Sequence, residues 1–287
     1  MRNGLHFALI GENVAYSKSP AIFEAIFRAV GRAGKFEIAS VQQSDLRASL
    51  NQLVLEGVRG FAVTLPFKQT VLPILDDLDP VAQKVGAVNS IAVDETRLYG
   101  YNTDCYGFTL PLIANGKKNI GTSALIAGCG GAARAVAYIL SKDLAMHDLT
   151  LLGRSAERLA ECKKALEQNL ERARVRTVVS GQEADMLKAP FDIIVNCTPL
   201  GGWRHQDATP FPAGLAWTPG KIYYDLNYND NNRLVTAARE SGMIALDGSA
   251  MLVGQAIRSF AIWTDLQAPF DDIYRAVFGN RNGRAVT

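Results

Sequence analysis

This chain has few cysteines, few histidines, no long apolar run and almost no imbalance of charge, and each scarcity closes off a class of protein. No segment reaches the about 18 to 20 consecutive apolar residues that a membrane span requires, so no membrane association is predicted. The N-terminus shows no basic region followed by an apolar core, and Phe7-Ala8-Leu9-Ile10 is too short to serve as one, which makes the cytoplasm the expected compartment. The four cysteines, Cys105, Cys129, Cys162 and Cys197, never approach a Cys-x-x-Cys spacing, so neither a zinc site nor a disulfide framework is expected. Thirty Lys and Arg against 28 Asp and Glu leave a formal net charge of +2, too mild for a surface built to hold nucleic acid. The richest basic cluster, Arg154 to Arg176, alternates with glutamate and reads as a solvated helix face. A small-molecule partner is what these absences leave.

What is present describes a globular protein with a full core: 48% hydrophobic and 20% charged residues. At 287 residues the chain exceeds the usual single-domain length, so two domains or one large one are expected. The first hundred residues alternate short apolar runs with helix-period stretches, as βα units on one sheet do. His6 to Ile10, Phe36 to Val41 and Gly60 to Leu65 are predicted strands; Ser19-Pro20 opens a helix, with serine as its cap and proline at its first position. Ser90 to Val93 and Leu98 to Tyr101 form a predicted hairpin about Asp94-Glu95-Thr96 that delivers Asp104 at a strand end. Larger βα repeats begin near Tyr106. Strands are predicted at Ser123 to Ala127, Asp148 to Leu152, Phe191 to Val195 and Lys221 to Leu226, with helices at Ala132 to Ser141, from Ala156, at Ser249 to Thr264 and at Phe270 to Val277.

One turn has a recognisable chemistry. Gly128-Cys129-Gly130-Gly131-Ala132-Ala133 fits G-x-G-x-x-G/A after a strand and at the start of a helix. There the backbone can approach a pyrophosphate lying on the helix dipole, although such a turn can also serve only to reverse the chain. The following strand ends Leu152-Gly153-Arg154-Ser155. NAD-binding domains usually carry a carboxylate there for the ribose hydroxyl, and none occurs here before Glu157. An arginine and a hydroxyl suit a 2′-phosphate, so the expected cofactor is NADP, with Arg154 as its partner. The alternative is Arg154 as a plain surface residue at a helix N-terminus, where a cation opposes the dipole.

Carbonyl reduction by a nicotinamide needs an acid near the oxygen. His6, His147 and His205 lie outside every motif, which leaves Lys68, after the strand and proline of Val63-Thr64-Leu65-Pro66-Phe67-Lys68, as the leading proton donor. Standing alone, Lys68 reads equally well as a solvated residue opening a helix. Asn89, Asn102 and Asp104 gather at strand ends, where α/β folds place ligands; turn chemistry is the plainer reading of the two asparagines. Ser17 and Ser19 offer hydroxyls for a carboxylate, and Ser19 serves as well as a simple cap.

Ser17-Lys18-Ser19-Pro20, Val63 to Lys68, Gly86-Ala87-Val88-Asn89, Gly100-Tyr101-Asn102-Thr103-Asp104, Gly128 to Ala133, Asn196-Cys197-Thr198-Pro199 with Gly201, Asp225 to Tyr228, and Asp247-Gly248 with Met251-Leu252 and Gln255-Ala256 occur in an order that resembles the shikimate dehydrogenase family over nearly the whole chain. The resemblance implies a two-domain α/β fold. Residues 1–105, completed by 243–287, would be a substrate domain with a mixed sheet, and 106–242 an inserted Rossmann-type NADP-binding domain. It implies NADP-dependent, reversible reduction of 3-dehydroshikimate to shikimate, or a quinate/shikimate or altered-substrate variant, by a monomer or homodimer. The family's catalytic pair falls on Lys68 and Asp104. Its substrate contacts fall on Ser17, Ser19, Thr64, Asn89, Tyr228 and Gln255, and its cofactor contacts on Gly128, Gly130, Gly131, Ala132, Arg154, Ser155, Thr198 and Gly248. Departures from the family pattern are Ala62 where asparagine is common, Gly153-Arg154-Ser155 at the adenine side, Gly202-Trp203 in place of a methionine, Asn229-Asp230-Asn231 without a proline, and Asp265 after Trp263-Thr264.

Overall fold

The computed structural model describes residues 4–117, 120–182 and 189–279. Two compact units divide the chain, one of residues 1–110 with 252–287 and one of residues 111–251.

In the first unit, β1 (Leu5–Gly11) leads through α1 (Ser19–Ala29) to β2 (Gly34–Ser40), and α2 (Leu46–Leu55) leads to β3 (Gly60–Val63); β1 pairs in parallel with both β2 and β3. A short α3 (Phe67–Thr70), the two-residue β4 (Asp77–Leu78) and α4 (Pro80–Val85) follow. The predicted hairpin is present as β5 (Ser90–Asp94) and β6 (Arg97–Tyr101), with Asp94 opposite Arg97 and Glu95 at φ 53° in the turn. The sheet order is β2-β1-β3-β5-β6-β4, mixed because β5 is antiparallel to both neighbours. One core, with Ile10, Leu50, Phe61, Phe67 and Ile91 fully buried, packs α2 and the hairpin together. A second core is aromatic: Phe7 of β1 lies 6.1 Å from Phe23 of α1 and 4.8 Å from Trp263. Trp263 and Phe260, also 6.1 Å from Phe7, belong to α9 (Ser249–Thr264), so ring packing fastens the C-terminal return to the first strand. Helix α10 (Phe270–Phe278) then packs on α1.

The second unit alternates β7 (Ser123–Ala127), α6 (Gly131–Lys142), β8 (Asp148–Gly153), α7 (Ala156–Glu167), β9 (Arg174–Val179), β10 (Ile193–Asn196), β11 (Ile222–Asp225), α8 (Arg233–Glu240) and β12 (Ile244–Leu246). Every pair in the order β12-β11-β10-β7-β8-β9 is parallel. That is the doubly wound arrangement, whose order reverses between β7 and β10 and opens a crevice at the strands' C-terminal ends. At the opposite end Asp192 ties three strands: its carboxylate accepts from the N–H groups of Thr122 (2.8 Å) and Ser123 (3.0 Å) and from Lys221 Nζ (2.7 Å).

Local expectations needed correction. Ser19 is not a cap: the capping position falls on Lys18 without a side-chain bond, and Ser19 is already helical. Asp104 opens α5 (Asp104–Ala114) and does not end a strand, and β3 stops at Val63 because Thr64 to Pro66 turn into α3. The charged stretch from Arg154 to Arg176 is not one helix face. Helix α7 ends at Glu167, and Arg174 and Arg176 lie on the edge strand β9, where Val175 and Val178 are buried and Arg176 reaches Asp148 at 3.2 Å. Strands β4 and β12 and helices α4 and α8 escaped the sequence reading because their apolar runs are short, and β9 because its arginines mask it.

Candidate active site

Helix α4 places the first site residue. Asp79 caps it, accepting from Ala82 N–H (2.8 Å) and Val81 N–H (3.3 Å), Pro80 occupies its first turn, and Gly86 ends it in the left-handed conformation. The chain then runs directly into Asn89, whose carbonyl accepts from Val63 N–H (2.8 Å) while Val88 N–H donates to Lys68 O (2.7 Å). Lys68, one turn beyond the end of β3, and Asn89, just before β5, are thereby fixed by main-chain bonds.

Lys68 Nζ donates to Asp104 Oδ2 at 2.6 Å, with side chains 15% and 5% exposed. Asn89 Nδ2 donates to the other oxygen, Asp104 Oδ1 (2.9 Å), and also lies within reach of Thr103 Oγ1 (2.9 Å) and Gln255 Oε1 (3.2 Å). Four expected site residues, Lys68, Asp104, Asn89 and Gln255, thus form one hydrogen-bonded group within the first unit. A charge pair this shielded requires its remaining lone pairs to be satisfied, and Asn89 supplies that bond. Gln255 is held by its own amide, which donates to Leu252 O at 2.8 Å.

Ser17 and Ser19 meet each other: Ser17 Oγ donates to Ser19 Oγ (3.1 Å) and accepts from Ser19 N–H (3.2 Å). Their loop is tied to the Thr64 turn by Glu12 N–H donating to Leu65 O (3.1 Å). The half-buried Thr64 uses its main chain in that turn, and its hydroxyl has no partner among the described residues. Asn102 follows the plainer reading: its amide donates to Ala87 O (2.9 Å) and its Oδ1 accepts from Cys105 N–H at the start of α5. Ala62 packs with Leu9 and Val14 in an apolar cluster. Two buried hydroxyls were missed by the sequence reading, Thr103 and Ser259, 3.0 Å apart, with Thr103 N–H donating to Asn89 Oδ1 at 2.6 Å. Only the position of Thr103 beside Asp104 hinted at it.

In the second unit, Gly128 follows β7 with φ 112°, a conformation open to glycine, and its N–H donates to Leu152 O at 2.8 Å. A side chain on Gly130 would meet no atom within 4 Å, so the turn faces open space. The first intrahelical bond of α6 runs from Arg134 N–H to Gly130 O, leaving the amides of Gly131 and Ala132 outside the helical pattern. Arg154 is exposed at the end of β8 and forms no ion pair among the described residues. Ser155 caps α7, its Oγ accepting from Arg158 N–H at 3.3 Å. Open backbone, free helical amides and an unengaged cation at the crevice fit a phosphorylated dinucleotide.

Thr198 and Gly248 have structural work of their own. Thr198 Oγ1 donates to Asn196 Oδ1 (2.7 Å) and accepts from Leu200 N–H (3.2 Å), while a side chain at Gly248 would fall on Leu226 O. The loop after β10 is held by a buried network that the sequence reading did not find. Asn196 Nδ2 and Tyr223 OH donate to Asp225 Oδ2 (3.1 and 2.7 Å), and Asn227 donates to Asp225 Oδ1 from both its N–H and its Nδ2. Burial pushes the Asp225 carboxyl up from its ordinary value, against the pull of the bonds from Tyr223, Asn227 and Asn196. Tyr228 is half-buried after β11, in the second unit.

A doubly wound parallel sheet with a glycine turn, in one chain with a mixed sheet that carries a shielded lysine–aspartate pair, defines a nicotinamide-dependent oxidoreductase of two α/β units. The chain belongs to the shikimate dehydrogenase family. Residues 9–91 match the shikimate dehydrogenase substrate binding domain and residues 248–278 the shikimate 5'-dehydrogenase C-terminal domain. It is 37% identical over 282 residues to the NADP(+) shikimate dehydrogenase of Moorella thermoacetica, an alignment covering 96% of this chain and 94% of that one. The structure resembles shikimate 5-dehydrogenase from Thermus thermophilus in complex with NADP(H) and shikimate (30% identity, TM-score 0.80, 95% and 98% of the two chains). It is also similar to quinate dehydrogenase from Corynebacterium glutamicum in complex with NAD (29% identity, TM-score 0.84, 95% and 98%).

Proposed function

We propose that this protein interconverts 3-dehydroshikimate and shikimate with NADP(H), using Lys68 and Asp104 as its catalytic pair. The observation that carries the reading is the 2.6 Å contact between those two shielded side chains, beside Asn89 and Gln255. When bound, the nicotinamide cofactor would supply the hydride for reduction of the carbonyl. Lys68 delivers a proton to the carbonyl oxygen as charge develops there, directly or through a water. Asp104 holds the Lys68 ammonium in place and accepts a hydrogen bond from a neighbouring substrate hydroxyl. Asn89 fixes the Asp104 carboxylate and, with Gln255 and Thr64, orients the remaining hydroxyls. Ser17 and Ser19 receive the substrate carboxylate.

Gly128, Gly130, Gly131 and Ala132 would take the pyrophosphate, and Arg154 with Ser155 the 2′-phosphate. Thr198 and Gly248 shape the loops beside them. On this reading the first unit, residues 1–110 with 252–287, is the substrate domain and the second, residues 111–251 with β12 in its sheet, the dinucleotide domain, in a cytoplasmic monomer or homodimer.

Quinate with NAD is the second reading, favoured by the likeness to the Corynebacterium glutamicum enzyme. The end of β8 opposes it, because Gly153-Arg154-Ser155 offers no carboxylate for an unphosphorylated ribose. Initial rates with shikimate and quinate, each with NADP and NAD, separate the two. The proposal expects shikimate with NADP to be the best pair; a higher kcat/KM for quinate or for NAD overturns it.

A further inference from the structure

Asn89 faces more acceptors than its amide can serve. Its Nδ2 has two protons, while Thr103 Oγ1 (2.9 Å), Asp104 Oδ1 (2.9 Å) and Gln255 Oε1 (3.2 Å) all lie within reach. The amide cannot turn over, because its Oδ1 accepts from Thr103 N–H at 2.6 Å. How the Nδ2 protons are shared therefore depends on the Thr103 hydroxyl, which either takes one of them or gives its own proton to Asn89 Oδ1, 3.3 Å away. Ser259 stands behind that hydroxyl. Its Oγ is 3.0 Å from Thr103 Oγ1, it is 1% exposed, and it has no other hydrogen-bond partner among the described residues. A buried hydroxyl without an acceptor for its proton is costly, so the Ser259 proton points to Thr103 Oγ1. Thr103 then has only Asn89 Oδ1 to receive its own proton. Helix α9 holds Ser259 in place for this: Gln255 lies one turn earlier on the same face, and the adjoining Phe260 is fully buried against Phe7.

We propose that Ser259 is a positioning residue for the reaction: by donating to Thr103 it directs the Thr103 proton onto Asn89 Oδ1 and leaves Asn89 Nδ2 to Asp104 Oδ1 and Gln255 Oε1. Asp104 thereby keeps a donor on each oxygen, Lys68 on Oδ2 and Asn89 on Oδ1, while Ser259 bonds to none of these three. Without Ser259 the Thr103 hydroxyl is free to turn and draw an Asn89 proton away from the carboxylate. The inference rests on the reading of Lys68 and Asp104 as the catalytic pair.

The test is the steady-state oxidation of shikimate by NADP+ in wild type, Ser259→Ala, the near-isosteric Thr103→Val, the double variant and Lys68→Ala, beside a melting curve for each. Ser259→Ala should lower kcat about 3- to 10-fold, the reach of one neutral hydrogen bond, and leave the KM for NADP+ and the melting temperature close to those of wild type. Because Ser259 acts only through Thr103, the double variant should be no slower than Thr103→Val alone. An unchanged kcat in Ser259→Ala, losses that multiply in the double variant, or a fall in kcat matched by a lower melting temperature and a raised KM for NADP+ would each overturn the assignment while the catalytic pair stands. Wild-type protein without activity, or Lys68→Ala as fast as wild type, overturns the reading of the pair and this inference with it.

Discussion

On the proposed reading the chemistry turns on Lys68 and Asp104, which are also a shielded ion pair, so their removal has two separable consequences. Lys68→Ala is expected to lower turnover by at least ~10², the usual contribution of an acid–base group, while NADP binding persists. Asp104→Ala should do the same and also cost stability, since it leaves the Lys68 ammonium without its partner. Steady-state kinetics beside a cofactor titration and a melting curve check both, and near-normal turnover in either variant would remove that residue from the mechanism. Arg154→Ala should weaken NADP about 10- to 100-fold, the worth of a charged hydrogen bond of about 1.5 to 3 kcal/mol, and leave NAD unchanged; equal losses for both cofactors would contradict the 2′-phosphate role. At this scale the sequence pointed to a residue where its type was unusual for its place, as with Lys68, a cation just past a strand and a turn proline. Ser19, Asn102 and Thr198 were harder to read. Each is a small polar residue near a turn, and only geometry distinguishes a polar side chain left open from one engaged by its neighbours. Thr103 was hinted at only by its place beside Asp104, and Ser259 gave no local signal, because the two hydroxyls meet only in three dimensions, 156 positions apart.

Among the elements, the strands and helices with long periodic patterns were readable, and the short ones were not. The two residues of β4 and the three of β12 exist because a neighbouring strand supplies their hydrogen bonds, a stabilisation that sequence does not display. β9 was obscured by its charges, which on an edge strand face solvent and discourage further pairing. The Asp192 staple at the start of β7, β10 and β11 is likewise non-local, and it makes a pH prediction. Burial opposes the charged carboxylate, but the bonds from Lys221, Thr122 and Ser123 outweigh it and hold the pKa at about 2, down from 3.8. A depressed folded-state pKa means that the staple stabilises fully above the unfolded value and that this is lost as pH falls through about 2. The group is near the surface, so the contribution is about 1 kcal/mol after solvent screening. Asp192→Asn should therefore be less stable than wild type at neutral pH, and the gap should narrow between pH about 4 and about 2. Urea unfolding across that range measures it; a gap that stays constant would show that the carboxylate charge is not what holds the strands.

The whole molecule combines a substrate unit whose sequence is interrupted with a dinucleotide unit that interrupts it, and α9 returns the chain to the first unit through the Phe7, Phe260 and Trp263 packing. The Lys68 segment ahead of the glycine turn showed that order in part, and the resemblance to the family implied the return that carries Gln255. The ring packing that secures the return was not, since it joins the first strand to the last quarter of the chain. Ligand linkage gives a prediction for the intact protein: NADP+ at a hundred times its Kd should stabilise the native state by about 2.7 kcal/mol, and NAD+ at the same concentration by much less. Melting curves with each cofactor check this, and equal shifts would contradict the selectivity assigned to Arg154. The most direct test of the central claim is the initial rate of NADPH formation when the purified protein is given shikimate and NADP+. Steady turnover that depends on both ligands and falls at least ~10² in Lys68→Ala is expected; no NADPH formed by folded wild-type protein, or a rate untouched by loss of Lys68, would overturn the assignment.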